Sequence, residues 1–122
     1  MTVKERQVGD VTIIDMDGRI TIQDGAETFR DLIRGLVALG RVHVVLNLSS
    51  VPYVDSTGLG ELIRSHLSMT RRNGRLTLLN VPPRIRELLA TTRLLPVFEA
   101  FDDEAAAVRS NARDREASPQ CP

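Results

Sequence analysis

The stretch Val42-His43-Val44-Val45-Leu46-Asn47-Leu48 is apolar at nearly every position and constrains the fold most. A strand with one wet face alternates polar and apolar residues, because successive side chains point to opposite sides. A run without that alternation needs cover on both faces, so it predicts a strand near the centre of a sheet. Ser49 and Ser50 then read as loop residues leading to Pro52. A helical pattern begins near Leu59, which places Asp55, Ser56 and Thr57 at the helix entry. Small polar residues suit that place, since their oxygens accept bonds from the free N–H groups of the first turn.

The flanking segments predict alternating strands and helices. Val3–Arg6 is a candidate edge strand, Gly9-Asp10 a hairpin turn, and Val11–Met16 a second strand closed by Asp17-Gly18. Asp24 is the expected cap of a helix carrying Ala26, Phe29, Leu32, Ile33, Leu36 and Val37 on one apolar stripe, stopped by Gly40. A second helix is expected from Ser56 to Arg72. Its inner face is Leu59, Leu62 and Ile63, continued by His66 or Leu67 and by Met69 or Thr70. Glu61, Arg64, Arg71 and Arg72 form its solvated face by this pattern.

Asn73-Gly74 ends the second helix, and Arg75–Asn80 reads as a strand. Pro82 and Pro83 suit the first turn of a third helix, where a missing N–H costs little. Ile85, Leu88 and Leu89 give that helix its apolar side. Val97–Phe101 is a short last strand, and Asp102 and Asp103 open a helix through Val108. From Asn111 to Pro122 the chain is polar and reads as frayed or disordered, so a domain over 1–112 and a flexible tail over 113–122 are expected. The alternation places the chain in the α/β class.

A chain of 122 residues with 42% hydrophobic content suits one compact domain, and with 3% aromatics its core must be aliphatic. Sixteen basic and sixteen acidic residues cancel, which removes the electrostatic case for nucleic acid or an anionic membrane surface. No apolar run approaches the ~18 residues of a membrane helix. The N-terminus lacks a signal peptide's apolar core, and Cys121 has no second cysteine to pair with. The chain therefore reads as cytoplasmic, without membrane insertion.

Two readings stand for Asp55-Ser56-Thr57-Gly58: a plain helix cap, or a cap that is also a regulatory phosphoserine. An intrinsic enzyme is not expected. Gly-x-Ser-x-Gly, both phosphate-binding glycine motifs and metal-ligand spacings are missing, and no cofactor or metal is called for. His43 reads as a half-exposed strand histidine, and His66 as a boundary histidine far down the helix from Ser56.

Val54-Asp55-Ser56-Thr57-Gly58-Leu59-Gly60, after a strand ending Leu46-Asn47-Leu48, resembles the signature of STAS-domain anti-sigma factor antagonists. The similarity runs from about Val3 to Ala112 and includes Asn73-Gly74 before a strand and the Pro82–Leu89 helix. It implies a mixed sheet of four to five strands with about four helices. It also implies that Ser56 is phosphorylated by an anti-sigma factor with serine-kinase activity and reset by a serine phosphatase. The unmodified chain would sequester that anti-sigma factor and free a sigma factor. The implied docking face comprises Asp55, Ser56, Thr57, Gly58, Leu59, Gly60, Glu61 and Arg64, with Arg19 and Thr21 from the loop after the second strand.

The family often reads Gly-Glu-Leu-Asp in that loop, so Arg19 and Thr21 replace two acidic residues and could select a different partner. Thr92-Arg93-Leu94 stands where the family often shows Thr-Gly-Leu, which puts Arg93 at a position glycine eases. The alternative implied role is a non-catalytic STAS subunit of a stress-signalling scaffold or lipid-transport complex.

Overall fold

The computed structural model describes residues 1–117, with side-chain surroundings through Ala112. Five strands form one sheet in sequence order: β1 (Thr2–Val8), β2 (Val11–Asp17), β3 (His43–Ser50), β4 (Arg75–Leu79) and β5 (Glu99–Phe101). β1 pairs antiparallel with β2 through the Gly9-Asp10 hairpin, and β2 to β5 are parallel. β3 is the middle strand, as its nearly continuous apolar run predicts.

Three helices link the parallel strands: α1 (Ala26–Ala38), α2 (Ser56–Arg71) and α3 (Pro83–Thr91). All three pack on one face. Phe29, Ile33 and Leu36 of α1, Leu62 and Met69 of α2, and Ile85 and Leu89 of α3 share a core with Ile14, Val44, Leu46, Leu76 and Leu78 of the strands. The other face, formed by Val11, Ile13, Val45 and Leu79, packs on Ala107 of α4 (Glu104–Ala117). The structure is therefore helices, sheet, then one helix, with period-two side chains feeding each face.

Three expectations need correction here. Asp24 does not cap α1. Gly25 takes that place at φ 96°, and a Cβ there would lie 2.0 Å from the Arg19 carbonyl oxygen, so only glycine fits. His43 is buried rather than half-exposed. The region from Asn111 is helical through Ala117 rather than frayed, because Asn111 is a buried polar anchor. Its Oδ1 meets His43 Nδ1 at 3.0 Å, and its Nδ2 donates toward the Val44 and Arg75 carbonyls and Thr77 Oγ1 at 3.2–3.3 Å. Residues 118–122, with Cys121, lie outside the described residues.

Asn111→Ala should destabilise the fold by about 2–4 kcal/mol, because several buried polar groups lose their partner at once. A urea midpoint unchanged from wild type would refute that role. At the β1 edge, Arg6 is bidentate to Asp15 and also pairs with Glu104, tying β1 and β2 to α4. The Arg6 guanidinium holds the Asp15 carboxyl below the usual carboxylate range. Burial opposes that shift, and Asn47 assists it.

Candidate functional site

The segment after β3 builds a narrow ledge. Ile20 N–H donates to the Tyr53 carbonyl at 3.0 Å, and Asp55 N–H donates to the Ile20 carbonyl at 3.3 Å. Ile20 and Val54 form a parallel bridge, so the loop after β2 lies against the entry to α2. Asp55 caps α2: its Oδ1 accepts from Gly58 N–H at 2.8 Å. Its Oδ2 accepts from Ile22 N–H at 3.0 Å, so one carboxylate binds the helix start to the neighbouring loop. The Gly58 and Ile22 amides, in that order, hold the Asp55 carboxyl below its ordinary range, because they bond the charged form.

Ser56 is the first residue of α2, and it is exposed. It lines a groove of about 500 Å³ between α2 and α3. Tyr53, Val54 and Leu59 stand on its wall with Ser56, and Arg84, Ile85 and Leu88 stand opposite. A second, smaller hollow of about 230 Å³ joins Arg19, Thr21 and Ile22 to Tyr53 and Asp55. Arg19 and Thr21 therefore share a face with the serine's neighbour. Arg19 is exposed, whereas Thr21 spends its hydrogen bonds locally, on Asp24 and on the Ala26 amide that opens α1.

Glu61 is a correction: it is buried, not on a solvated face, and its Oε2 accepts from Arg64 Nη1 at 2.9 Å. With Arg64 it lines a cleft against Arg30, Ile33 and Arg34 of α1, on a different side of α2 from the Ser56 groove. Leu67 and Thr70 are exposed, so His66 and Met69 continue the inner face. His66 is half-buried, edge-on to Phe98 with ring centroids 5.3 Å apart, and burial lowers its pKa. It stands ten residues along α2 from Ser56, about 15 Å at 1.5 Å per residue. His43 begins β3, at the other end of the sheet from Ser56. Neither imidazole is placed to activate the serine.

The two glycines of the motif differ. A Cβ on Gly58 would lie 2.0 Å from the Ile20 carbonyl oxygen, so the ledge excludes any side chain there. A Cβ on Gly60 would meet only the Arg64 guanidinium, at 3.7 Å. Gly60→Ala should therefore raise stability by about 0.5–1 kcal/mol through helix propensity, read as a higher urea midpoint. A lower midpoint would show a constraint within the fold.

Sequence reasoning missed the α3 wall, and it missed the exposed apolar pair Ile22 and Tyr53 flanking Asp55. Ile22 next to the altered loop residues was the available signal, since a large aliphatic side chain in a polar loop needs a reason.

A family model for the STAS domain matches residues 2–107. The chain belongs to the STAS domain family. The anti-sigma F factor antagonist of Paenibacillus polymyxa is 27% identical over 66 residues, 54% of this chain and 56% of that protein's length. Among solved STAS-like structures, a Thermotoga maritima protein superposes with TM-score 0.84 at 20% identity, covering 90% of this chain and 94% of its own. The Bacillus cell fate determinant SpoIIAA, in its phosphorylated form, superposes with TM-score 0.70 at 22% identity, covering 89% and 99%. At such identities the solved structures share the STAS fold with this chain. Thr92-Arg93-Leu94 keeps the left-handed turn with an arginine, Arg93 at φ 61°.

Proposed function

We propose that this STAS domain is an anti-sigma factor antagonist whose binding is gated by phosphorylation of Ser56. The observation that carries the reading is a serine exposed as the first residue of α2, on the rim of a groove and beside the capping Asp55. Unmodified, the surface around Ser56, Leu59 and the 19–22 loop docks on an anti-sigma factor in the cytoplasm and so frees a sigma factor. That partner is also the kinase. It passes the γ-phosphoryl group of ATP to Ser56 Oγ, ADP leaves and the hydroxyl proton is released. A serine phosphatase reverses the step by hydrolysis.

Three features support this reading. The positive end of the α2 dipole tolerates a phosphate on an exposed first residue, so the fold survives the modification. Gly60 is not demanded by the fold, so a partner's close approach is the remaining use for a bare backbone there. The similarity to antagonists, including one described in phosphorylated and unphosphorylated forms, points the same way.

The test is incubation with the candidate kinase and ATP, followed by mapping of the modified residue by mass spectrometry. Phosphate on Ser56 is expected; an unmodified chain, or phosphate elsewhere, overturns the reading. Capture of a large assembly of STAS chains or a transporter ATPase would move the domain to the scaffold or transport role.

A further inference from the structure

β3 and β4 are parallel neighbours, so their C-terminal ends open on the same edge of the sheet. α2 and α3 both begin at that edge and pack over the same face. Ser56 is the first residue of α2, and Arg84 is the second residue of α3. The two therefore face each other across the mouth of one groove, whose lining includes Leu59, Ile85 and Leu88.

Arg84 opposes ordinary helix electrostatics. The first turn of a helix carries partial positive charge and favours acidic side chains. The first turn of α3 has no acid, and it holds Arg84 and Arg86. Arg86 has Asp102 at 3.9 Å. Among the described residues Arg84 has no ion-pair partner, and it is exposed. Nothing in the packing of α3 uses this cation.

We propose that Arg84 is the intramolecular receptor for the phosphate on Ser56. The inference rests on Ser56 being the modified residue. A guanidinium offers two parallel N–H donors to two phosphate oxygens. Pairing draws the phosphate across the mouth of the groove and covers the apolar floor that a partner would use. Two carboxylates bound the position. Glu87, one turn along α3 from Arg84, lines the same groove and disfavours a phosphate lying farther along that helix, and the Asp55 carboxylate is fixed on the Gly58 and Ile22 amides. Arg84 is thus a positioning residue: it turns an added charge into a closed surface.

The test uses the full chain with phosphoserine incorporated at position 56 by recoding, so no kinase is needed. Phosphorus NMR follows the phosphate through its second ionisation, which lies near pH ~6 in free phosphoserine. The wild-type chain should titrate lower, and Arg84→Ala should raise the midpoint by about half a pH unit, a modest shift because the pair is exposed. Arg84→Lys should fall between the two, and Arg86→Ala should match wild type. The α2 amides persist in every variant, so the difference reports Arg84 alone. Arg84→Gln, with a longer stem, repeats the measurement should the alanine variant unfold. Coincident titrations of wild type and Arg84→Ala overturn the proposal while leaving the Ser56 switch standing. Absence of phosphate after kinase treatment would overturn the switch and not this titration.

Discussion

Ser56→Asp is expected to weaken binding to the proposed anti-sigma factor partner by about a thousandfold, while Ser56→Ala binds as tightly as the unmodified chain. The reasoning starts from position. Ser56 is exposed at the start of α2, so a carboxylate there meets the N–H groups of its own helix and leaves the fold intact. In the complex the same charge is driven against the partner. One like-charge contact at ~4 Å with an effective dielectric of ~20 opposes binding by roughly 4 kcal/mol. A micromolar complex is held by only about 8 kcal/mol. No backbone movement is needed for a large loss. Phosphate, at about −1.5 to −2 charges, should act more strongly than aspartate. Calorimetric titration of both variants against the partner measures the effect, and equal affinities would dispose of the charge switch. Thermal melts of the two variants should coincide with wild type to within ~0.5 kcal/mol, as for surface changes generally.

Gly58→Ala should unfold more readily than wild type, with a loss of about 2–4 kcal/mol. The added Cβ would lie 2.0 Å from the Ile20 carbonyl oxygen, 2.9 Å from its carbon and 3.0 Å from Ile20 Cγ2. None of these atoms can yield cheaply. Ile20 is fully buried, its N–H bonds Tyr53 and its carbonyl accepts from Asp55. Alanine gains up to about 1 kcal/mol of helix propensity over glycine, but the backbone clash outweighs it. Relief requires α2 to start later or the 19–22 loop to lift, and either releases the Asp55 carboxylate from Gly58 or Ile22. Partner binding should fall with stability, unlike in Ser56→Asp, where binding falls alone. A urea midpoint equal to wild type would show that the ledge is softer than its geometry.

Much of this architecture could be read before any coordinates. The run at Val42–Leu48, apolar at all but His43 and Asn47, reads as an inner strand, because both of its faces need cover. Pro82-Pro83 marked a helix start, because proline's fixed φ and missing N–H fit the first turn and little else. Asp55 before Ser56 marked a capped helix entry, and the structure places both there. Such features are local, decided by sterics and hydrogen bonding within a few residues.

Other features depended on which distant segments meet. Glu61 reads as a surface acid along α2, yet the approach of α1 buries it beside Arg64. Asn111 reads as part of a polar tail, yet it anchors α4 by reaching His43, 68 positions away. Asp24 had the right chemistry for a cap, but the close pass of the Arg19 carbonyl gave the place to Gly25. The groove joining Ser56 to Arg84 exists only because parallel β3 and β4 set two helix starts at one edge. Sequence alone determined the elements and the serine's place at a helix mouth, since short-range forces settle those. Tertiary structure alone decided which polar groups were buried and what faces the serine, because burial and proximity follow from packing between segments far apart in the chain.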